Sequence, residues 1–441
     1  MAASYLPYLP DQDFLLPPSM GEWLPEGHLA YFIGDTVDSL NLAAFHARYD
    51  KGGPRNQPFH PAMMVKVLLY GYATGVFSSR KIASKLHEDV AFRLLAAGNF
   101  PADRTLRDFR ALHLKELSEL FVQVVKLARE MGLVKLGTIA VDGTKIKANA
   151  SRHKAMSYGH MLKAEAQLKQ QIDALLERAR QADAADTKQP EVDLPAEIAR
   201  REQRLAAIAE ARARLEQRQR EADLQHGRSK DDERKPRNKD GKPKGGRYKR
   251  DFGVPEDKAQ ENFTDPDSRI MKRAGGGFDA AYNGQLAVDE AAHIIVAAEL
   301  TNVASDAAEL PRMIDAVQAN LGTAPAKALA DTGYRAEAVF KRYAGGATEL
   351  VVALGREGKQ QLRFDAHKNP HTAAMAAKLQ TDEGRKAYRK RKWIAEPPNG
   401  WIKSVLGFRQ FSLRGLTKVQ DEWKIVCAAL NLRRMNALRM A

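Results

Sequence analysis

Leu136-Gly-Thr-Ile-Ala-Val-Asp-Gly-Thr-Lys-Ile-Lys-Ala-Asn-Ala-Ser151 is the stretch on which the reading of the chain turns. Thr138–Val141 are β-branched or small and apolar, which suits a buried strand. They run into Asp142 and Gly143, a carboxylate and then a flexible residue, where that strand should end. A carboxylate so placed is held by a sheet yet faces its solvent-accessible rim. Two readings stay open on this segment alone. Asp142 is the first ligand of a divalent-metal site, or it closes a turn, since Asp-Gly is an ordinary turn pair.

The second half repeats the plan. Phe278–Asp289 and His293–Glu299 read as two strands joined by a polar turn around Asp289-Glu290. Ile294-Ile-Val-Ala-Ala is nearly continuous, as a central strand would be. Asp306–Leu321 reads as a helix with Leu310, Met313, Ile314 and Val317 on one side. Ala326-Lys-Ala-Leu-Ala then leads into Asp331-Thr-Gly-Tyr, again a short apolar strand ending in an aspartate. Helix Arg335–Tyr343 and strand Glu349–Ala353 complete an order of β, hairpin, α-β-α-β.

Two strand-end aspartates in such a sheet can converge on one rim, and two hard oxygen ligands suit Mg²⁺ or Mn²⁺. A two-metal site needs at least one further carboxylate. The candidate is Glu396, the only acid in the basic run Tyr388–Lys403. A lone carboxylate there can equally balance charge on a solvated helix. Glu396 and Lys403 are two helical turns apart, so a helix would place both on one face, metal ligand beside phosphate clamp.

At 441 residues the chain has room for two or three domains. A formal charge of +15 and a pI near 9.6 call for a polyanionic partner. Nucleic acid fits better than a membrane surface, because no apolar run approaches the roughly 18 residues a span needs. Residues 1–24 lack the basic-then-apolar order of a signal peptide, so a cytoplasmic protein is expected. The single cysteine, Cys427, excludes an internal disulfide framework and a cysteine zinc site, and reads as a buried, inert thiol.

Residues 1–27 read as an extended arm and 28–130 as a helical domain. Pro61–Gly71 carries apolar residues on more than one face and should be the core helix of a bundle. Ser78-Ser79 offers an N-cap for Arg80–Leu95, with Ile82, Leu86, Val90 and Leu94 at steps of four. Asp103 can cap a third helix with Leu106, Phe109 and Leu112 inward and Arg104, Arg107 and Arg110 outward. This pattern fits a helix-turn-helix-like DNA reader, or a plain bundle bearing solvated arginines.

Residues 151–225 read as two helices returning on each other, with Met161, Leu168, Ile172 and Leu175 on the first and Ile198, Leu205, Ile208 and Leu215 on the second. Such a hairpin is self-contained or a dimer contact. Residues 226–261 should be a basic, disordered linker, since Lys and Arg far outnumber acids over Gly227–Arg250. It would neutralise phosphates without reading bases, or serve only solubility. Residues 131–150 and 262–441 are left for the α/β unit.

Four segments carry a resemblance: Pro58–Gly75, Ala140–Ala150, Ala328–Tyr334 and above all Glu396–Met435. The last contains Glu396-Pro-Pro-Asn-Gly-Trp-Ile-Lys, Gly407-Phe-Arg-Gln-Phe, Arg414-Gly, Glu422-Trp and Asn431-Leu. In their order and spacing the chain resembles bacterial insertion-sequence transposases of the DDE type, over nearly its whole length. The resemblance implies an α/β fold: an RNase H-like mixed-sheet catalytic core with a long helical insertion, plus an N-terminal all-α DNA-binding domain. It implies Asp142, Asp331 and Glu396 as the catalytic, metal-binding triad for two Mg²⁺ (or Mn²⁺) ions. Lys403 would contact a phosphate near the cleaved strand, and Arg409, Arg414, Arg104 and Arg107 would be further DNA contacts.

The related signature is Tyr, two residues, Arg, three residues, Glu, six residues, Lys. Here the Glu396–Lys403 spacing fits, but Tyr388 and Arg391 leave four residues before Glu396. Counting back from Glu396 puts Lys392 and Arg389 in those slots instead, and Pro397-Pro398 makes a local helix irregularity a further option. The implied activity is binding of an element's terminal inverted repeats, then metal-dependent strand cleavage and transfer into target DNA. Synapsis of two ends implies a homodimer. The alternatives are an RNase H-like nuclease without strand transfer and a non-catalytic DNA-binding protein.

Overall fold

The computed structural model of the chain describes residues 19–49, 57–184, 193–228, 230, 248–273, 276–355 and 364–440. The first 18 residues of the expected arm, and residues 229 and 231–247 of the expected basic linker, lie outside the described residues.

The N-terminal region is helical: α1 (Leu29–Ser39), α2 (Ala43–His46), α3 (Pro61–Ala73), α4 (Ser79–Glu88), α5 (Val90–Leu95), α6 (Asp103–Leu112) and α7 (Leu114–Glu130). Because α3 is apolar on all sides it is buried along nearly its whole length, from Met63 and Met64 to Tyr72. The single helix expected over Arg80–Leu95 is two. Asp89 takes extended backbone between them, and its carboxylate accepts from the N–H groups of Ala91 and Phe92, capping α5. Asp103 lies in the first turn of α6, not at its cap, and Leu112 is exposed where it was expected inward. Arg110 also departs from expectation. It is buried, donating to the Tyr72 hydroxyl at 3.2 Å and the Phe77 carbonyl at 2.9 Å.

The remaining elements are β1 (Thr138–Lys147), β2 (Ala155–Ser157), α8 (Tyr158–Ala184), α9 (Leu194–Gln225), β3 (Gln260–Asn262), β4 (Arg269–Lys272), β5 (Phe278–Asp289) and β6 (Ile295–Thr301). They continue with α10 (Glu309–Leu321), β7 (Lys327–Ala330), α11 (Glu337–Tyr343), β8 (Glu349–Val352), α12 (Pro370–Gln380), α13 (Asp382–Gly400) and α14 (Leu416–Arg439). In the sheet β5 pairs antiparallel with β1 along one edge and with β4 and β6 along the other. β7 joins β1 in parallel, and β8 joins β7 in parallel. The order β6-β5-β1-β7-β8 is the RNase H-like mixed sheet.

The strand carrying Asp142 does not end at Asp142-Gly143, as its sequence suggested. Antiparallel pairing with β5 runs from Ile139↔Asp289 to Lys147↔Ala281 and holds β1 extended throughout. Pairing with β7 stops at Ala140↔Leu329. Asp142 therefore lies mid-strand but past the end of its parallel neighbour, which leaves it at the rim after all.

One apolar core runs from α1, α3 and α7 through the sheet to α14. Trp423 of α14, fully buried, crosses β5 at Gly284, where a Cβ would stand 2.9 Å from the indole; only glycine lets the helix approach so closely. The α8–α9 hairpin has a separate core of Tyr158, Met161, Leu168, Ile208, Ala211 and Leu215. Its base is tied by the buried Glu261 of β3, paired with Arg214 and Arg218 of α9. No helix among the described residues is long and apolar enough to cross a membrane.

Candidate active site

The overrun of β1 past β7 opens a notch at the rim, with Asp142 on β1 and Asp331 immediately after β7. The Asp331 carboxylate accepts from the Gly333 N–H at 2.8 Å, fixing the turn Thr332–Tyr334. One oxygen of Asp142 accepts from the Gly143 N–H at 3.0 Å, and the other accepts from Asn399 Nδ2 of α13 at 3.1 Å. The Arg391 guanidinium stands 3.9 Å from the first oxygen, its side chain only 10% exposed. Arg391 and Asn399 are two turns apart, so α13 turns one face to the carboxylate.

Burial pushes the Asp142 carboxyl up to about 6. The Arg391 guanidinium opposes the rise, and nearby Asp331 and Asp306 add to it. Negative charge is thus crowded where hydration is poor, a setting a divalent cation relieves, and the donors are hard oxygens. Asp142 and Asp331 fit such an ion. Glu396 is exposed on α13, three residues before Asn399, and among the described residues no three His, Cys, Asp or Glu side chains could share an ion.

Pro397 and Pro398 do not break α13. Pro397 lacks the N–H that would bond the Trp393 carbonyl, and His293 Nε2 donates to that oxygen instead, at 3.0 Å. The irregularity comes after Gly400, as a π-helical turn over Trp401–Val405 that carries Lys403. Burial depresses the Lys403 ammonium; Asp142 works against this, while Arg409 and Lys145 add to it. Lys403 is therefore within electrostatic reach of Asp142, Arg409 and Lys145. Arg409 donates to the Lys403 carbonyl at 3.1 Å and Arg414 to the Asn149 carbonyl at 2.8 Å, both side chains exposed. The segment between them runs beside β1, with Phe411 N–H bonded to the Lys147 carbonyl at 2.9 Å.

Of the two registers left open in the sequence, α13 turns Arg391 to Asp142, whereas Lys392 and Arg389 are exposed. Tyr388 packs half-buried against the main core. Arg104 and Arg107 are exposed on α6, each paired with Asp108, and are not among the residues at the notch. Sequence reasoning missed Asn399, Lys145, Asp306, Asn283, Gln285 and Tyr334. Asn399 alone had a signal, standing one turn before Lys403. Gly143 belongs to the same layer: a Cβ there would lie 2.6 Å from Gln285 Nε2 and 2.8 Å from an Asp306 carboxylate oxygen.

Two family models match the chain, a transposase domain (DUF772) over residues 18–112 and a transposase DDE domain over residues 354–436. No curated protein and no solved structure matches it. The DDE-domain match indicates a DNA transposase, and the mixed α/β core behind a helical N-terminal region is consistent with the DDE-type fold. Together the two matches support a DDE-type insertion-sequence transposase. The second match covers Glu396 and Lys403, while Asp142 and Asp331 lie between the two.

Proposed function

We propose that the notch is the centre at which this transposase cleaves the ends of its mobile element and transfers the freed strands into target DNA. The observation that carries the reading is the pair Asp142 and Asp331, set side by side just past the end of the β1–β7 ladder, with Lys403 within electrostatic reach of Asp142. Asp142 and Asp331 would hold Mg²⁺ or Mn²⁺, and Glu396, the third carboxylate of a two-ion site, would have to turn in from its exposed position on α13. When bound, the metal supplies activation of the attacking oxygen and charge stabilisation at the leaving 3′ oxygen.

The protein's own groups do the aligning, and in phosphoryl displacement positioning and electrostatics carry most of the barrier. Arg391 and Asn399 hold the Asp142 carboxylate in one orientation from its two oxygens. Lys403 neutralises the phosphate at the cut, and Arg409, Arg414 and Lys392 neutralise its neighbours; Tyr388 supports α13 from the core side. Arg104 and Arg107 on α6 contact the terminal inverted repeats. Two copies bring two ends together in a synaptic complex.

The test supplies pre-cleaved element ends and a target plasmid with Mg²⁺. Joined products are expected. Hydrolysis without joining would favour a nuclease, and end binding with neither reaction would favour a non-catalytic DNA-binding protein.

A further inference from the structure

Asp306 is the best-anchored side chain near the notch that the mechanism has not used. One of its carboxylate oxygens accepts three donors: Asn283 Nδ2 at 2.6 Å, Gln285 Nε2 at 2.7 Å and Lys145 Nζ at 3.3 Å. Asn283 and Gln285 are fully buried on β5, where their amide donors need an acceptor, and the carboxylate is that acceptor. The same β5 glutamine accepts the hydroxyl of Tyr334, itself fully buried in the turn that Asp331 begins. The other Asp306 oxygen faces that turn, 3.4 Å from where a Gly333 Cβ would be. Asp306 thus reaches Asp331's turn both through Gln285 and directly.

Its third partner, Lys145, lies three residues after Asp142 on β1, on the sheet face it shares with Asn283 and Gln285, with its ammonium within electrostatic reach of Lys403. Two cations so placed repel each other unless an anion lies near. In the free protein Asp306 is that anion for Lys145; a DNA phosphate would serve both. We infer that Asp306 is a positioning residue for strand transfer, anchoring the Lys145 ammonium at the rim of the notch and bracing the turn that carries Asp331. The inference rests on the proposed function.

The experiment compares the full chain with Asp306→Asn, Lys145→Met and the double variant, using pre-cleaved ends, target plasmid and Mg²⁺. End binding and thermal melting are followed in parallel. Asp306→Asn should lower kcat by about ten- to a hundredfold, with end affinity and melting temperature little changed. Lys145→Met should show a comparable loss. The double variant should be no slower than the slower single, because the two act through one contact. Wild-type kcat in either single variant, or losses that multiply in the double, would overturn the inference. If Asp306→Asn fails to fold, wild-type kcat in Lys145→Met still overturns it. Asp142→Asn is run alongside: if it too transfers strands at the wild-type rate, the proposed function fails; if only Asp306→Asn does, this inference fails alone.

Discussion

The Asp142 carboxyl behaves differently from an aspartate in water. An aspartate in an unfolded chain titrates near about 3.9, and in the fold burial raises this one to about 6. Below the unfolded value both states are protonated and Asp142 adds no charge penalty to folding. Between that value and 6 the unfolded chain has released its proton while the native state keeps it, so stability falls by up to about 3 kcal/mol over this window and stays at the lower level above it. The metal-free Asp142→Asn variant should therefore match wild type in urea unfolding near pH 4 and be the more stable protein near pH 8. Mn²⁺ should narrow that gap by stabilising wild type alone, so an equal gap at both pH values would count against a buried, charged Asp142. At this scale the two aspartates were legible because each follows a short apolar run. Asp306 was not: it read as the start of a helix, and its place depends on Gly143 lying opposite Gln285 across the β1–β5 ladder. No spacing in the chain encodes that register.

The elements explain why a site read one way in the sequence is built another way. β1 was expected to stop at Asp142-Gly143, but a glycine ends a strand only where no ladder holds it, and β5 supplies one as far as Lys147. α13 shows the same dependence on neighbours, since the carbonyl freed by Pro397 is taken by His293. His293→Ala should cost about 1–3 kcal/mol by leaving that oxygen without a donor, measured by urea unfolding; an unchanged midpoint would mean the contact contributes nothing. In α6 three arginines of similar spacing separate into two roles. Arg104→Ala and Arg107→Ala should leave the melting temperature unchanged and each reduce the slope of log end affinity against log salt by about 1. Arg110→Ala should instead destabilise the fold by roughly 3 kcal/mol, because Tyr72 and Phe77 lose a buried charged donor. Helical periodicity placed Leu106 and Phe109 inward but could not tell which arginine the bundle would bury.

In the whole molecule the helical bundle and the sheet share one apolar core, whereas the α8–α9 hairpin keeps its own. The hairpin's two ends meet where Asn262 Nδ2 donates to the Ser151 carbonyl at 2.9 Å. Replacing residues 152–261 with a short Gly/Ser linker should accordingly leave the melting temperature of the remainder within a few degrees. A collapse of the main transition would show that the insertion supports the core. The net charge of +15 on the chain suits a DNA partner, but a site must draw metal and phosphate to one place, and the proposed function assigns both to the notch. Anomalous diffraction from crystals grown with Mn²⁺ and an element end tests this most directly. Manganese peaks within about 2.2 Å of carboxylate oxygens of both Asp142 and Asp331 are predicted, with the scissile phosphate against Lys403. Manganese bound elsewhere, with Asp142 and Asp331 bare, would contradict it.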